Sequence, residues 1–229
     1  DNIQAQILSR GEALSIACMH ELLSVRGHEV VLIDPVKLLL AEGGFLESHV
    51  NIDVPRARFQ AEPLKTEAVY LMAGFTGGNE KGELVLLGRN GSDYSAACLA
   101  ACVSAECCEI WTDVDGVLSA DPRRVPNAQV IDQLSYNEAM ELAYFGAKVI
   151  HPQTMAPAIG RSIPIYIRNT FAPDHPCTLI CAAPKSDLVV KGITTIENIA
   201  LINIEGAGMI GVPGTAHRLF GALREEGIS

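Results

Sequence analysis

No run of apolar residues in this chain of 229 approaches the roughly 20 that a membrane-spanning helix needs, and no signal peptide opens it. Positive charge is also scarce. With 17 Lys and Arg against 27 Asp and Glu, the net charge of −10 leaves no basic face for nucleic acid or an anionic membrane. The seven cysteines are odd in number and sit mostly in apolar segments such as "SAACLAACVSAECCEIW", which predicts small buried thiols rather than a disulfide framework. Cys177 and Cys181, with His175 nearby, have no second pair of ligands, so no zinc site is expected. These absences together predict a soluble cytoplasmic protein that binds neither nucleic acid nor membrane.

Several common catalytic motifs are missing as well. There is no Gly-x-x-x-x-Gly-Lys-Ser/Thr loop, no Gly-x-Gly-x-x-Gly after a strand, and no Gly-x-Ser-x-Gly elbow. "GAGMIGVPG" is glycine-rich but wrongly spaced, and there is no internal repeat or low-complexity tract. The opening "DNIQAQILSRGEALSIAC" lacks an initiating Met and runs at once into a helix, while "RLFGALREEGIS" stops where a helix ends and a strand should follow. Both ends read as truncations.

What is present alternates strand and helix. Apolar positions at Leu14, Ala17, Cys18, Leu22 and Val25 predict an amphipathic helix over 11–26. "EVVLID", "AVYLMAGF", "CCEIWTD" and "IPIYIR" read as buried strands, "GELVLLG" as a strand or hairpin arm, and 92–105 as a helix. "SYNEAMELAYFGAKV" carries the capping-box spacing, Ser135 with Glu138 three positions on, and a short helix follows around "HPQTMAPAIG". This order implies a mainly parallel sheet in a three-layer αβα sandwich. Composition shifts near 182–188, so residues 1–183 are expected to form one domain and 184–229 the β-β-α start of a second.

Ligands of an open parallel sheet gather outside the carboxyl ends of its strands, and polar loops lie there. In "LLGRNGSDYSAAC", Gly91 lets the backbone approach an anion, Ser92 can cap the following helix, and Arg89 offers a planar fork of donors to a carboxylate or phosphate. Asp93 is equally explained as a favourable charge in a first helical turn. "WTDVDGVLSADPR" holds Thr112, Asp113, Asp115, Asp121 and Arg123, though Asp-Gly and Asp-Pro steps are also ordinary turn formers. Lys148, in "FGAKVIHP", is ordinarily a dipole partner near a helix end, and His151 before Pro152 is ordinarily structural.

In order and spacing, "SRGE", "LGRNGSDYSAA", "IWTDVDGV", "ADPR", "YFGAKVIHP" and "IPIYIRNT" resemble aspartokinases of the amino acid kinase superfamily over about residues 7–182. The tail from "VKGITTIENIALINIEGAGM" onward resembles the start of the ACT region that follows such kinases. The wording is most similar to the aspartokinase portion of bifunctional aspartokinase/homoserine dehydrogenases of the threonine-sensitive type. The resemblance implies an amino acid kinase fold and transfer of the ATP γ-phosphoryl group to the side-chain carboxylate of L-aspartate. It implies aspartate contacts from Arg89, Asn90, Gly91, Ser92 and Glu12, with Arg89 on the α-carboxylate and Glu12 facing the α-ammonium. Asp93 and Lys148 would be catalytic. Thr112, Asp113, Leu118, Arg123, Lys148 and Val149 would meet the nucleotide, with Mg2+ held mainly through the nucleotide. Leu118 stands where the family often has tyrosine, and the family's Lys-Phe-Gly-Gly-Thr-Ser segment has no match here, so this chain alone is expected to be nearly inactive. A threonine effector and a homo-oligomer formed through the ACT region are further implications. The alternatives are a regulatory or oligomerisation fragment that binds an amino acid effector, or a related kinase for another carboxylate.

Overall fold

The computed structural model describes residues 1–61, 64–65, 67–145, 151–186, 188–196 and 214–227. It divides into two compact units, Asp1–Thr195 and Ile196–Ser229.

The first unit opens with α1 (Asn2–Leu8) and α2 (Arg10–Val25), followed by β1 (Val30–Ile33). Helix α3 (Pro35–Leu38) is short, with proline at its first position and Asp34 as its cap: the Asp34 carboxylate accepts from Val36 N at 3.0 Å. Strands β2 (Ala41–Gly43) and β3 (Ser48–Val50) form a hairpin before α4 (Asp53–Ala61). β4 (Val69–Met72) then pairs with β1 in parallel, Val30 opposite Val69, and β5 (Thr76–Gly78) and β6 (Leu84–Leu86) form a second hairpin. Helix α5 (Gly91–Val103) follows directly.

The remaining strands make one sheet. β7 (Cys108–Thr112), β8 (Gln133–Ser135), β9 (Ile165–Asn169) and β10 (Thr178–Cys181) lie in the order β7-β9-β10-β8, separated in sequence by α6 (Tyr136–Tyr144) and α7 (Pro152–Ile159). The pairs β7–β9 and β8–β10 are parallel, and β9–β10 is antiparallel. This α/β arrangement is the expected class.

Side chains of the sheet alternate, so one face of β7 and β9 is apolar and the other is not. Cys108, Ile165, Ile167, Leu134 and Ile180 enter one buried cluster with Ala97, Ala101, Tyr136, Ala139, Met155 and Ala158 from the three helices. Alanines on α5 leave room for the helix to lie close to the strands. On the opposite face, Arg168 stacks 5.7 Å from the Trp111 ring centroid and 5.3 Å from that of Tyr166, and its Nε donates to Glu109 at 3.0 Å. A second cluster, Leu39, Ala41, Val50, Val85, Leu87 and Cys98, fills the space between the hairpins and α5.

The capping box of α6 is formed as the spacing predicts: Ser135 Oγ accepts from Glu138 N at 3.2 Å, while Glu138 Oε2 accepts from Ser135 N at 2.7 Å. The expected burial of the thiols holds for Cys98, Cys102 and Cys108 but not for Cys18 and Cys107, which are exposed. Cys18 lies on α2, a helix with no buried residue, and Cys107 precedes β7 before its alternation begins.

The second unit contributes α8 (Thr215–Glu225), the amphipathic helix read from "GTAHRLFGALREEGI". Of the stretch from Val189 to Met209 read as two strands, residues 189–196 are described and form no strand, while 197–209 lie outside the described residues, as do Lys148 and Val149. No helix among the described residues is long and apolar enough to cross a membrane.

Candidate active site

Helix α5 starts one residue earlier than the sequence suggests, and the difference changes what its first turn can do. Asn90 is the N-cap residue, held in the left-handed region at φ 55°, with no side-chain cap bond. Asparagine tolerates that conformation, and it turns the chain sharply enough for Gly91 to begin the helix. Ser92 therefore does not cap the helix. Its hydroxyl donates instead to Glu12 Oε1 at 3.1 Å, across 80 residues of sequence. Glu12 sits in the first turn of α2, so the contact ties the start of α5 to the start of α2.

Gly91 is obligatory for steric reasons. A Cβ there would lie 2.7 Å from Phe75 Cδ2 and 3.2 Å from Phe75 Cα. Phe75 belongs to the loop after β4, and its own φ of 66° is unusual for a bulky residue. The loop is fixed by Ser95, whose Oγ accepts from Phe75 N at 3.3 Å and donates to Ser92 O at 2.7 Å. Gly74 completes the packing, because a Cβ there would stand 3.2 Å from Ser92 Cα. Gly74 and Phe75, read as the end of the strand "AVYLMAGF", lie in the loop beyond Met72, and the glycine-rich "AGFTGG" is the signal that could have marked them; nothing in the sequence singles out Ser95.

Arg89 is exposed and has no hydrogen bond or ion pair among the described residues. Its side chain lines a cavity of about 720 Å³ with Glu47, His49, Tyr94, His151 and Thr154. His151 Nδ1 is buried without a partner there. Asp93 faces elsewhere, over an apolar floor that includes Cys108, Ile110 and Ile165. Burial alone pushes its carboxyl above the ordinary value. Because Cys108 and Ile110 occupy alternate positions of β7, the next residue on that side is Thr112. The face that carries Asp93 thus leads along one strand to the second group of predicted residues.

Thr112 ends β7, and its Oγ1 donates to Asp113 Oδ1 at 3.2 Å. Asp115, further along that loop, accepts from Asn169 Nδ2 at 2.7 Å and lies 3.3 Å from His175 Nδ1. Leu118 forms an isolated antiparallel bridge with Val130. Arg123 is engaged with Asp121: Nε donates to Oδ1 at 3.0 Å and Nη2 to Oδ2 at 2.7 Å. Those bonds and the Arg123 backbone N–H hold the Asp121 carboxyl down at about 2. The structure therefore brings Glu12 and Ser92 into contact, links Asp93 through β7 to Thr112 and Asp113, and pairs Arg123 with a neighbouring carboxylate. Among the described residues no three His, Cys, Asp or Glu side chains converge as a metal-ligand set.

Residues 2–169 match the model of the amino acid kinase family. The bifunctional aspartokinase/homoserine dehydrogenase of Haemophilus influenzae is 56% identical over 230 residues, which is 100% of this chain and 28% of that protein. The lysine-sensitive aspartokinase 3 of Escherichia coli is 33% identical over 98% of this chain and 50% of its own length. The crystal structure of E. coli aspartokinase III in complex with aspartate and ADP superposes with a TM-score of 0.80 at 30% identity, covering 100% of this chain and 52% of that one. The chain thus spans between about a quarter and about half the length of these relatives.

Proposed function

Since the chain belongs to the amino acid kinase family, we propose that it carries the substrate-binding part of an aspartate kinase, which transfers the γ-phosphoryl group of ATP to the side-chain carboxylate of L-aspartate. In that reaction a carboxylate oxygen bonds to Pγ, the bond from Pγ to the bridging β,γ oxygen breaks, and ADP leaves with the electron pair. A carboxylate is already a nucleophile at neutral pH. The protein's task is therefore to position it and to neutralise charge on the transferring group.

The observation that carries this reading is the contact of Glu12 with Ser92, three residues after Arg89, which has no hydrogen bond or ion pair among the described residues. A guanidinium fork suits the α-carboxylate of an amino acid, and a carboxylate suits its α-ammonium. The start of α5 adds fixed N–H dipoles for an anion. Asp93 would order the reacting centre. Thr112, Asp113 and Leu118 would contact the nucleotide, with Lys148 and Val149 contributing from the segment after α6. Arg123 would reach the phosphates only by sharing or leaving Asp121. Magnesium would ride on the phosphate oxygens and water.

The test is an ADP-release assay on the intact protein with aspartate as acceptor. Arg89→Ala should raise KM for aspartate roughly 10- to 100-fold, as expected when one charge-assisted bidentate contact is lost. An unchanged KM for aspartate would remove Arg89 from the substrate site.

On the same reading, the tail beyond residue 183 begins an ACT domain, threonine is the effector, the protein is a homo-oligomer, and it works in the cytoplasm. The resemblance of the tail from Val190 onward to the start of an ACT region supports the first two. Calorimetric titration of the intact protein should register binding of threonine but not of lysine. The reverse result assigns the effector to lysine.

A further inference from the structure

The second carboxylate of "TDVDG" is not a turn ornament. Strands β7 and β9 end opposite each other at Thr112 and Asn169, and one further backbone bond, Thr170 N to Thr112 O at 2.8 Å, continues the ladder. Beyond that point Asp115 accepts from Asn169 Nδ2 at 2.7 Å, a short charge-assisted bond, with His175 Nδ1 at 3.3 Å from the same oxygen. Asn169 is used at both ends, because its Oδ1 accepts from Phe171 N at 2.9 Å, which leaves the amide nitrogen to face Asp115. The following residues are held to the same neighbour. Val117 N donates to Thr178 Oγ1 at 2.8 Å in a buried setting, and a Cβ on Gly116 would lie 2.5 Å from that oxygen. The loop after β7 is therefore stitched to residues 169–178 along its length.

We propose that Asp115 is a positioning residue: by clamping Asn169 and His175 it fixes the loop that presents Thr112 and Asp113 to the nucleotide. The inference rests on the aspartate kinase reading for the nucleotide role of those two residues. The aspartate-binding residues Glu12, Arg89 and Ser92 stand on other elements, so loosening this clamp acts on the nucleotide side alone.

The intact protein is titrated with ADP by calorimetry, and KM for aspartate is measured in parallel. Asp115→Ala is expected to weaken ADP binding about 5- to 20-fold while KM for aspartate stays within about twofold, a split that general destabilisation would not produce. Asp115→Asn retains an acceptor for Asn169 and should restore most of the affinity. Asn169→Ala should reproduce the loss, and the double variant should be no worse than either single one. Wild-type ADP affinity in both Asp115→Ala and Asn169→Ala overturns the clamp and leaves the kinase reading intact. If Asp115→Ala does not fold, Asn169→Ala decides the matter in the same way. Failure of the wild-type protein to bind ADP removes the kinase reading and the clamp with it.

Discussion

Asp93 carries two opposing tendencies. As a carboxylate in the first turn of α5 it favours the helix dipole by about 0.3–1 kcal/mol, yet burial over an apolar floor raises its pKa, and among the described residues no donor compensates it. The raised pKa means that desolvation is the larger of the two. For a carboxyl with a raised folded pKa, the unfavourable contribution is absent below the unfolded pKa and complete above the folded one. Asp93→Asn should therefore raise Tm at pH 7 by roughly 1–2 °C, and the gain should close as the solution is acidified through the ordinary carboxyl range. On the proposed aspartate kinase reading, the same variant should lose on the order of 100-fold or more in turnover, because it removes a charge from the reacting centre. Thermal melts across pH with a parallel ADP-release assay check both. A variant that is no more stable and equally active would return Asp93 to the helix-dipole role that its sequence position alone allows.

At the scale of elements, much was legible because period and punctuation agreed. The capping box at Ser135 specifies a local geometry with few alternatives, and α6 follows it; "CCEIWTD", read as a buried strand, does form β7 but buries only one side, with Glu109 and Trp111 exposed on the other. The cap of α5 was misplaced by two residues because Ser92 and Asn90 are equally good caps by type, while the left-handed turn at Asn90 accompanies the close approach of Phe75 and Leu87 to Gly91. Such a preference is tertiary and leaves no local trace. The contact of Ser92 with Glu12 could be expected only from resemblance, since nothing in either segment names its partner. The Asp115 clamp was hidden for a related reason: Asp-Gly is a turn signal wherever it occurs, and its bond to Asn169 spans 54 residues. Arg123 shows the opposite case, in which a short-range contact with Asp121 claims a side chain that motif reading assigns to a ligand.

For the molecule as a whole, the compact first unit extends to Thr195, beyond the boundary at 183/184 that composition suggests. The added segment is tied down at named points. Lys185 N donates to Gln133 Oε1 at 2.7 Å, Ile193 N to Ser119 O at 2.8 Å, and Lys191 Nζ to Glu138 Oε2 at 2.8 Å. The last bond ends on the capping-box carboxylate of α6, so residue 191 supports a helix start more than 50 positions earlier. The Lys191 side chain is only 9% exposed and that of Glu138 41%, which makes the pair stronger than a surface contact yet still partly screened. Burial pushes the Glu138 carboxyl up, but the bonds from Lys191 and Ser135 outweigh it and leave it below its ordinary 4.5. A depressed carboxyl contributes stability above its unfolded pKa and loses it as pH falls through the folded value. Lys191→Ala should therefore cost about 1 kcal/mol near pH 7, and the gap to the wild-type protein should close as pH falls from about 5 to about 3. The single tryptophan, Trp111, stands on β7 inside the first unit, so its fluorescence during urea unfolding reports on that unit. A midpoint unaffected by Lys191→Ala at neutral pH would move the boundary back to the position that composition suggests. A pH-dependent loss would assign the segment through Thr195 to the first unit.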